Sequence, residues 1–196
     1  MTKLVEPWEY THPQKEWFKQ TDLNGWQQLM KSFFDGELQS TPWHGAPLAD
    51  ESQDLIPHLH ALVDAGFITT NSQPGVDELW KLQRYQQRAW VEGFCDLQTT
   101  FQLLPLNTIP DIQVNVVLNG GASSLSRRYE LPVTRHGLRT LTWHGEDFVF
   151  PVTDGLRRGD FAMGAWQEMS KWCTVSVVDL RWGENRLWEL LRNALS

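Results

Sequence analysis

The chain has 196 residues, of which 41% are hydrophobic and 21% are charged, and it carries a formal net charge of -7. This length and this composition are ordinary for one soluble globular domain with its own core, and they argue against a disordered chain. Its basic residues form no run longer than two arginines. Because a nucleic-acid-binding surface needs clustered positive charge, we expect no DNA or RNA partner.

The cysteine content and the hydropathy of the chain indicate its compartment. Cys95 and Cys173 are the only cysteines, and they are far apart with no Cys-x-x-Cys pair. This usage is typical of a reducing cytoplasm rather than of a disulfide-bonded scaffold. The polar N-terminus does not have the pattern of a signal peptide, and no apolar run approaches the ~20 residues of a membrane-spanning helix. We therefore expect a cytoplasmic protein that does not bind membranes.

Residues 1–32 are predicted to form an aromatic leader and the first helix. Asp22 is a suitable N-cap for an amphipathic helix that is expected to end near Gly36. The apolar face of this helix consists of Leu23, Trp26, Leu29, Met30 and Phe33. The leader is rich in rings, namely Trp8, Tyr10, Trp17 and Phe18. We expect these rings either to pack on the domain or to bind a protein partner, because exposed apolar rings are unfavourable.

A polar segment follows a predicted helix over residues 54–65. The helix has apolar residues at helical spacing and ends at Gly66, which suits the left-handed conformation of a C-terminal cap. A short strand, residues 67–70, then leads into a turn that carries five consecutive hydrogen-bonding side chains, residues 69–73 (TTNSQ). Such side chains either bind a ligand or cap their own backbone.

The remaining pattern predicts one α+β domain with a small mixed or antiparallel sheet and flanking helices. A helix is expected over residues 77–94, with a continuation that ends at Pro105, and a half-buried strand follows over residues 112–118. The later elements are turns at 119–121 and 136–137, strands centred on Leu131, Leu141 and Phe148, a helix marked by Phe161, Ala165, Met169 and Trp172, a buried strand over 174–178 and a closing helix over 187–195.

Several blocks of this chain resemble one known family in their order and spacing. They are TPWHGAPLADES (41–52), TTNSQP (69–74), QRAWVEGF (87–94), TLTW (140–143), FPVTD (150–154), VVD (177–179) and NRLWELL (185–191). Together they resemble the C-terminal regulatory domain of eukaryotic-type methylenetetrahydrofolate reductase, which binds S-adenosylmethionine as an allosteric inhibitor. The resemblance covers residues 33–195. It implies a regulatory-type ligand-binding domain over residues 33–196, and a stand-alone module with no flavin-binding barrel, no flavin and no reductase activity.

The resemblance also implies a set of ligand-binding residues. S-adenosylmethionine has an adenine ring, ribose hydroxyls, a sulfonium cation and a zwitterionic amino acid, so its site needs a ring or apolar slot, a carboxylate and neutral polar groups. Glu51 would face a cationic or hydroxyl group, and Trp43 would pack on the adenine or the sulfonium. The whole implied set is Trp43, His44, Ala49, Glu51, Ser52, Thr69, Ser72, Gln73, Thr142 and Thr153. The family threonine at the last position falls on either Val152 or Thr153.

Two other functions remain open at this point. The chain can be an enzyme that acts on S-adenosylmethionine or S-adenosylhomocysteine, for which Glu51, His44 and Asp154 are the acid or base candidates. It can also be a protein-interaction module that has lost the ligand and makes contact through its aromatic N-terminus.

Other candidate chemistry is weak in this sequence. No metal site is expected, because His58 and His60 are two residues apart on a predicted helix and face different directions. Cys95 is expected to be a small core residue rather than a nucleophile. Arg84 and Arg88, four apart on the predicted helix, either hold an anion or form a solvated face with Glu92.

Overall fold

A computed structural model of the chain describes residues 15–118, 131–144, 167 and 171–196. The helices are α1 (Lys15–Lys19), α2 (Leu23–Phe34), α3 (Ile56–Asp64), α4 (Leu97–Leu103) and α5 (Arg186–Leu195), with 3-10 helices at Asp50–Leu55 and Leu104–Thr108. The strands are β1 (Ile68–Gln73), β2 (Val76–Trp80), β3 (Gln83–Cys95), β4 (Ile112–Leu118), β5 (Leu131–His136), β6 (Arg139–His144) and β7 (Cys173–Trp182). Outside the described residues lie Trp8, Tyr10, the turn at 119–121, Phe148, Val152, Thr153, Asp154 and most of the helix predicted from Phe161, of which Gln167 is helical. The last residue predicted for that helix, Trp172, is buried but lies outside any helix, directly before β7.

The first long helix forms as the sequence predicts. The carboxylate of Asp22 accepts a hydrogen bond from the backbone N–H of Gly25, which caps α2, and Gly36 adopts a left-handed φ of 79° just after the helix. Trp17 of α1 is fully buried against Trp26 of α2, with ring centroids 5.3 Å apart, and its indole N–H donates to the carbonyl of Ser40 at 3.0 Å. This part of the leader therefore packs on the domain.

The long strand β3 connects two halves of one antiparallel sheet. Its first residues, up to Gln87, pair with β2 on one side and β5 on the other, and β6 adds to β5. Its later residues pair with β1 and β7, and β4 adds to β7. The register shifts between Arg88 and Trp90, where one half passes into the other. The described strands thus form a seven-stranded sheet, and the predicted α+β class with an antiparallel sheet is confirmed.

The helix predicted over residues 77–94 is wrong, because this segment forms the hairpin of β2 and β3. The turn residues Lys81 and Leu82 have φ values of 48° and 67°, as a two-residue type I′ turn requires. Neither residue is the Asn or Gly that marks such a turn in a sequence. The later part of β3 is buried nearly throughout, so its strand pairing overrides the helix preference of Gln, Arg and Glu. The continuation of the predicted helix is real but separate, as α4.

The polar turn predicted at residues 69–73 is also wrong, because these residues belong to β1. They pair with β3 and are interrupted by a bulge between Thr69 and Asn71. The chain turns only afterwards, at Gly75, whose backbone N–H and carbonyl exchange hydrogen bonds of 2.8 Å with the side-chain amide of Asn185. A β-carbon at Gly75 would lie 2.2 Å from the carbonyl oxygen of Glu184, so glycine is required there.

Arg84 and Arg88 therefore lie on β3 and not on a helix, and neither pairs with Glu92. Arg84 binds the Asp77 carboxylate through two hydrogen bonds of 2.6 Å. Arg88 donates to the backbone carbonyls of Leu180 and Pro132 at 2.9 and 2.7 Å. Arg88 thus ties β3 to its two neighbours, β7 and β5.

Other sequence predictions are confirmed. The helix over 54–65 is present as the 3-10 turn Asp50–Leu55 followed by α3, and Gly66 has the expected positive φ of 86°. The strand at 112–118, the turn at 136–137, the buried strand at 174–178 and the closing helix also form.

Two apolar clusters of the described residues lie on the two faces of the sheet. Alternate residues of a strand point to opposite faces. Val91 and Val177, paired in register, join the large core with the buried residues of the helices. Trp90 and Val178, the next pair, join a small cluster with Val133. The face that carries Trp90 is therefore distinct from the face that the helices cover. In the part of the chain that the structure describes, no helix is long and apolar enough to cross a bilayer.

Candidate functional site

Residues from three separate segments meet beside the first half of β3. Glu51, in the 3-10 turn before α3, is exposed, and its carboxylate accepts a hydrogen bond of 3.1 Å from the side-chain amide of Gln87. Gln87 itself is buried on β3, and its backbone carbonyl accepts from the N–H of Gly183 at 2.9 Å. The Glu51 carboxylate is therefore held from one side by a rigid strand and is open to solvent.

Gln87 also presents an acceptor that the described residues leave unused. Its side-chain oxygen is buried and has no hydrogen-bond partner among them. A buried polar atom without a partner costs roughly 1 to 3 kcal/mol, so a ligand hydroxyl or amine would be favoured at this oxygen only if the Gln87 side chain moved to expose it.

An aromatic ring lies on the same side of β3. Tyr85 and Gln87 are two residues apart on the strand, so their side chains point the same way. Burial raises the pKa of the Tyr85 phenol, and the negative charge of Glu51 raises it further. The half-buried Tyr85 ring therefore lies within electrostatic range of the Glu51 carboxylate. That ring makes an edge-to-face contact with Trp80, with centroids 5.9 Å apart.

The 3-10 turn is joined to β1 next to this site. Ser52 is buried, and its hydroxyl donates to the backbone carbonyl of Ser72 at 3.4 Å. The carbonyl of Ala49 accepts from the N–H of Ser52 at 2.9 Å and so closes the first turn of the 3-10 helix. Four implied ligand residues, Ala49, Glu51, Ser52 and Ser72, are thus brought together although 20 residues separate Ser52 from Ser72.

Gln73 has a structural role in this arrangement. Its buried amide donates to the carbonyls of Arg88 and Val133, at 3.0 and 3.1 Å, and its oxygen accepts from the hydroxyl of Thr134 at 3.0 Å. Both amide hydrogens and the oxygen are therefore engaged within the protein. Gln73 connects β1 to β3 and to β5, next to the Glu51 site.

The implied residues Thr69 and Thr142 lie further away along the sheet. Thr69 is buried with an unpartnered hydroxyl among the described residues, and it precedes Gln73 by four positions, about 13 Å along a strand. Thr142 is exposed on β6 opposite Thr134, the partner of Gln73. Thr153 lies outside the described residues.

Trp43 and His44 belong to a different environment. The half-buried Trp43 ring stacks on Trp26 with centroids 5.9 Å apart, and its other contacts are Trp17 at 6.0 Å and the edge of Phe94 at 5.7 Å. His44 is exposed, and its backbone N–H donates to the hydroxyl of Thr41 at 2.9 Å. Trp43 thus packs against three rings of the core, whereas Tyr85 is an aromatic residue near Glu51.

Tyr85 and Gln87 were not identified from the sequence, because both fall in the segment predicted as a helix. The signal that was present is the pair of glutamines, Gln86 and Gln87, which are both buried in β3. A buried amide needs partners, so its occurrence in an apolar element indicates either a structural network or a site.

The other residues considered from sequence have structural partners. His58 lies against Trp188 with ring centroids 6.1 Å apart, whereas the Nε2 atom of His60 is 3.0 Å from Asp35, so the two histidines face different ways as predicted. Cys95 is a buried core residue, and burial raises the pKa of its thiol to about 12. Among residues 15–118, 131–144, 167 and 171–196, no three His, Cys, Asp or Glu side chains form a group that could hold a metal ion.

Comparison with known proteins places the chain in a family. No curated protein matches it. A family model described as a domain of unknown function, DUF6919, matches residues 12–196. Because this match spans nearly the whole chain, the protein belongs to the DUF6919 family.

Proposed function

We propose that this protein is a sensor or regulatory module of the cytoplasm that binds S-adenosylmethionine or S-adenosylhomocysteine beside Glu51, with no flavin and no metal. The observation that carries this proposal is the contact between Glu51 and Gln87, with the ring of Tyr85 next to them. It provides a carboxylate, a free amide oxygen and an aromatic ring in one place. These are the groups that an adenosyl compound requires.

Each group has a defined partner in the proposed ligand. The Glu51 carboxylate accepts from ribose hydroxyls or from the ligand ammonium group, in charge-assisted hydrogen bonds that are stronger than neutral ones. The unpaired oxygen of Gln87 accepts one further hydrogen bond once its side chain moves to expose it, and the Tyr85 ring stacks on the adenine. The resemblance of residues 41–52 and 69–74 to the reductase regulatory domain supports the same ligand class.

Isothermal titration calorimetry of the full chain with each nucleoside tests this proposal. We expect a one-site isotherm for at least one of the two compounds, and no chemical change in the ligand by mass spectrometry after the titration. Absence of heat together with an unchanged melting temperature at millimolar ligand would contradict it, since saturation at a hundred times the dissociation constant stabilises a protein by about 2.7 kcal/mol.

The variant Glu51→Gln separates the site from the fold. It keeps the size of the side chain and removes the charge, so we expect affinity to fall by roughly 1.5 to 3 kcal/mol, the value of a hydrogen bond to a charged group. Asp50→Asn is the matched control, because Asp50 is the neighbouring exposed carboxylate of the same 3-10 turn. Equal affinities of the two variants would remove Glu51 from the binding site.

A further inference from the structure

A second polar cluster lies on the sheet face opposite the helices. Glu92 of β3 pairs in register with Ser176 of β7, and Ser176 pairs with Asn115 of β4. The three side chains therefore form a row across neighbouring strands, on the face that also carries Trp90. His144, the last residue of β6, reaches the same row. The cluster thus combines a hydroxyl, an imidazole and a carboxyl group from three different strands.

In this cluster the imidazole lies between the hydroxyl and the carboxyl group, as a general base lies between a nucleophile and an acidic residue. The imidazole Nε2 of His144 is 2.9 Å from the hydroxyl oxygen of Ser176, and its Nδ1 is 3.7 Å from the carboxyl oxygen of Glu92. Ser176, His144 and Glu92 are exposed by only 7%, 6% and 7%. A hydroxyl that contacts one imidazole nitrogen, with a carboxyl group facing the other, is the arrangement by which serine nucleophiles are recognised on unrelated folds.

A side-chain amide is aimed at the same oxygen. The amide nitrogen of Asn115 lies 3.4 Å from the Ser176 hydroxyl oxygen, and Gln113 donates to the amide oxygen of Asn115 at 2.9 Å. This second hydrogen bond fixes which end of the Asn115 amide points towards Ser176. An oriented amide N–H beside a nucleophile can stabilise the oxyanion that forms in acyl transfer. Gln113 and Asn115 are half-buried, so the cluster approaches solvent on the β4 side.

Burial sets the protonation state of the imidazole. It lowers the pKa of His144 to about 4, so the ring is a free base at neutral pH and can accept a proton. Burial also raises the pKa of Glu92 to about 8. His144 is the titratable group that contacts Glu92 among the described residues, and the other neighbours, Thr70 and Ser176, are neutral. The Glu92 carboxyl group thus becomes an anion only in mildly alkaline solution.

We propose that Ser176, His144 and Asn115 form a catalytic site for hydrolysis of small apolar esters, with Glu92 and Gln113 as positioning residues. The size limit follows from the low exposure of Ser176. The apolar preference follows from the neighbouring cluster of Trp90, Val133 and Val178, since the Trp90 ring lies 4.7 Å from the His144 ring. This site is separate from the one beside Glu51, so the two proposals stand or fall independently.

The reaction balances with water as the second reactant. The Ser176 oxygen attacks the ester carbonyl carbon while its proton passes to Nε2 of His144, and Asn115 donates to the carbonyl oxygen. The bond to the leaving alkoxide breaks, and the alkoxide takes the proton from His144. A water molecule then gives a proton to His144 as its oxygen bonds to the acyl carbon. The bond between Ser176 and the acyl carbon breaks, Ser176 recovers the proton, and the carboxylic acid leaves.

Labelling of the folded full chain with an alkyl fluorophosphonate tests the nucleophile directly. We expect one adduct by intact mass, located by peptide mapping at Ser176, and slow hydrolysis of p-nitrophenyl acetate. Ser176→Ala should lose both. Ser32→Ala is the control that should keep both. The Ser32 hydroxyl donates to the Glu37 carboxylate at 2.8 Å, and no histidine among the described residues contacts it. A wild-type protein without an adduct at Ser176, or a Ser176→Ala variant with unchanged esterase rate, would overturn the proposal.

Two further variants keep the test decisive if Ser176→Ala is unstable. His144→Gln retains a hydrogen-bonding group but cannot take a proton, so labelling should slow at least a hundredfold, the lower end of the effect of general base catalysis.

Glu92→Gln tests the positioning role. The wild-type labelling rate should rise with pH through about 8, as the Glu92 carboxyl group ionises and stabilises the protonated imidazole, whereas the variant should lack this rise. If Glu92→Gln changed the labelling rate by the same factor at every pH, Glu92 would have only a structural role, and its part in the proposal would be contradicted.

Discussion

Glu51 and Glu92 are two glutamates near one strand, and their surroundings differ in a way that separates binding from proton chemistry. Glu51 is exposed, is held by one neutral amide of β3 and faces solvent. Glu92 is part of β3 itself and is buried, and burial raises its pKa to about 8. A carboxylate at the surface of the sheet therefore suits recognition of a polar ligand. A carboxyl group inside the sheet suits control of a neighbouring imidazole.

The largest expected effect tests the link between the two halves of the sheet. Gln73→Ala removes three hydrogen bonds, two of them buried and one partly buried, and leaves the carbonyls of Arg88 and Val133 without this donor. We expect the free energy of unfolding to fall by about 3 kcal/mol, since each stranded buried group costs roughly 1 to 3 kcal/mol. Urea denaturation monitored by tryptophan fluorescence measures this change.

The same variant separates structure from recognition at Gln73. Its nucleoside affinity, measured at a temperature where the variant is fully folded, should equal that of the wild type. A stable variant with weakened affinity would instead make Gln73 a ligand residue, as the sequence resemblance implies.

The second prediction concerns the pH dependence of stability caused by the buried pair. Between about pH 4.5 and 6.5 the opposing contributions of Glu92 and His144 cancel. The unfolded glutamate has lost a proton that Glu92 keeps, while the unfolded histidine binds one that His144 lacks. Between about pH 6.5 and 8 only the Glu92 contribution remains, and the folded state holds the extra proton. Stability from this pair should therefore fall by about 2 kcal/mol across that window, at about 1.4 kcal/mol per pH unit.

Denaturation of the wild type and of Glu92→Gln at a series of pH values measures this effect. Glutamine does not titrate, so the difference between the two proteins should change by about 2 kcal/mol from pH 6.5 to 8. A difference that stays constant with pH would mean that Glu92 does not keep its proton in the folded protein.

The smallest expected effect decides which ring contacts the ligand. Tyr85→Leu should weaken nucleoside binding by about 1 kcal/mol, because a stacked aromatic pair contributes roughly 0.5 to 1.5 kcal/mol beyond its buried area. Trp43→Leu is the matched variant, and we expect it to lower the melting temperature without changing affinity, since Trp43 stacks on Trp26. Calorimetry of both variants distinguishes them. The reverse result would place the adenine on Trp43.

Local sequence signals predict only part of the two candidate sites. Glu51, Ser52 and Ser72 were expected in one place because they lie in blocks that resemble a known ligand domain, and the structure brings these residues together. The contact of Glu51 with Gln87 spans 36 residues, and the contact of His144 with Ser176 spans 32. Neither leaves a periodic or spacing signal in the chain. The sequence therefore does not predict Ser176 and His144 as a pair, and it offers Glu92 only as one of two possible partners for Arg84 and Arg88 on a predicted helix.

The sequence by itself determined the elements whose signals are local. Asp22 caps α2, Gly66 ends the helix before β1, and the alternating residues of β4 form a strand, because capping, positive φ and side-chain period depend on neighbours in the chain. Only the tertiary structure decided that Gln83–Cys95 is a strand. Its residues favour a helix in isolation, but pairing with β1, β2, β5 and β7 satisfies its backbone along both edges and buries its side chains on both faces. That strand positions both candidate sites.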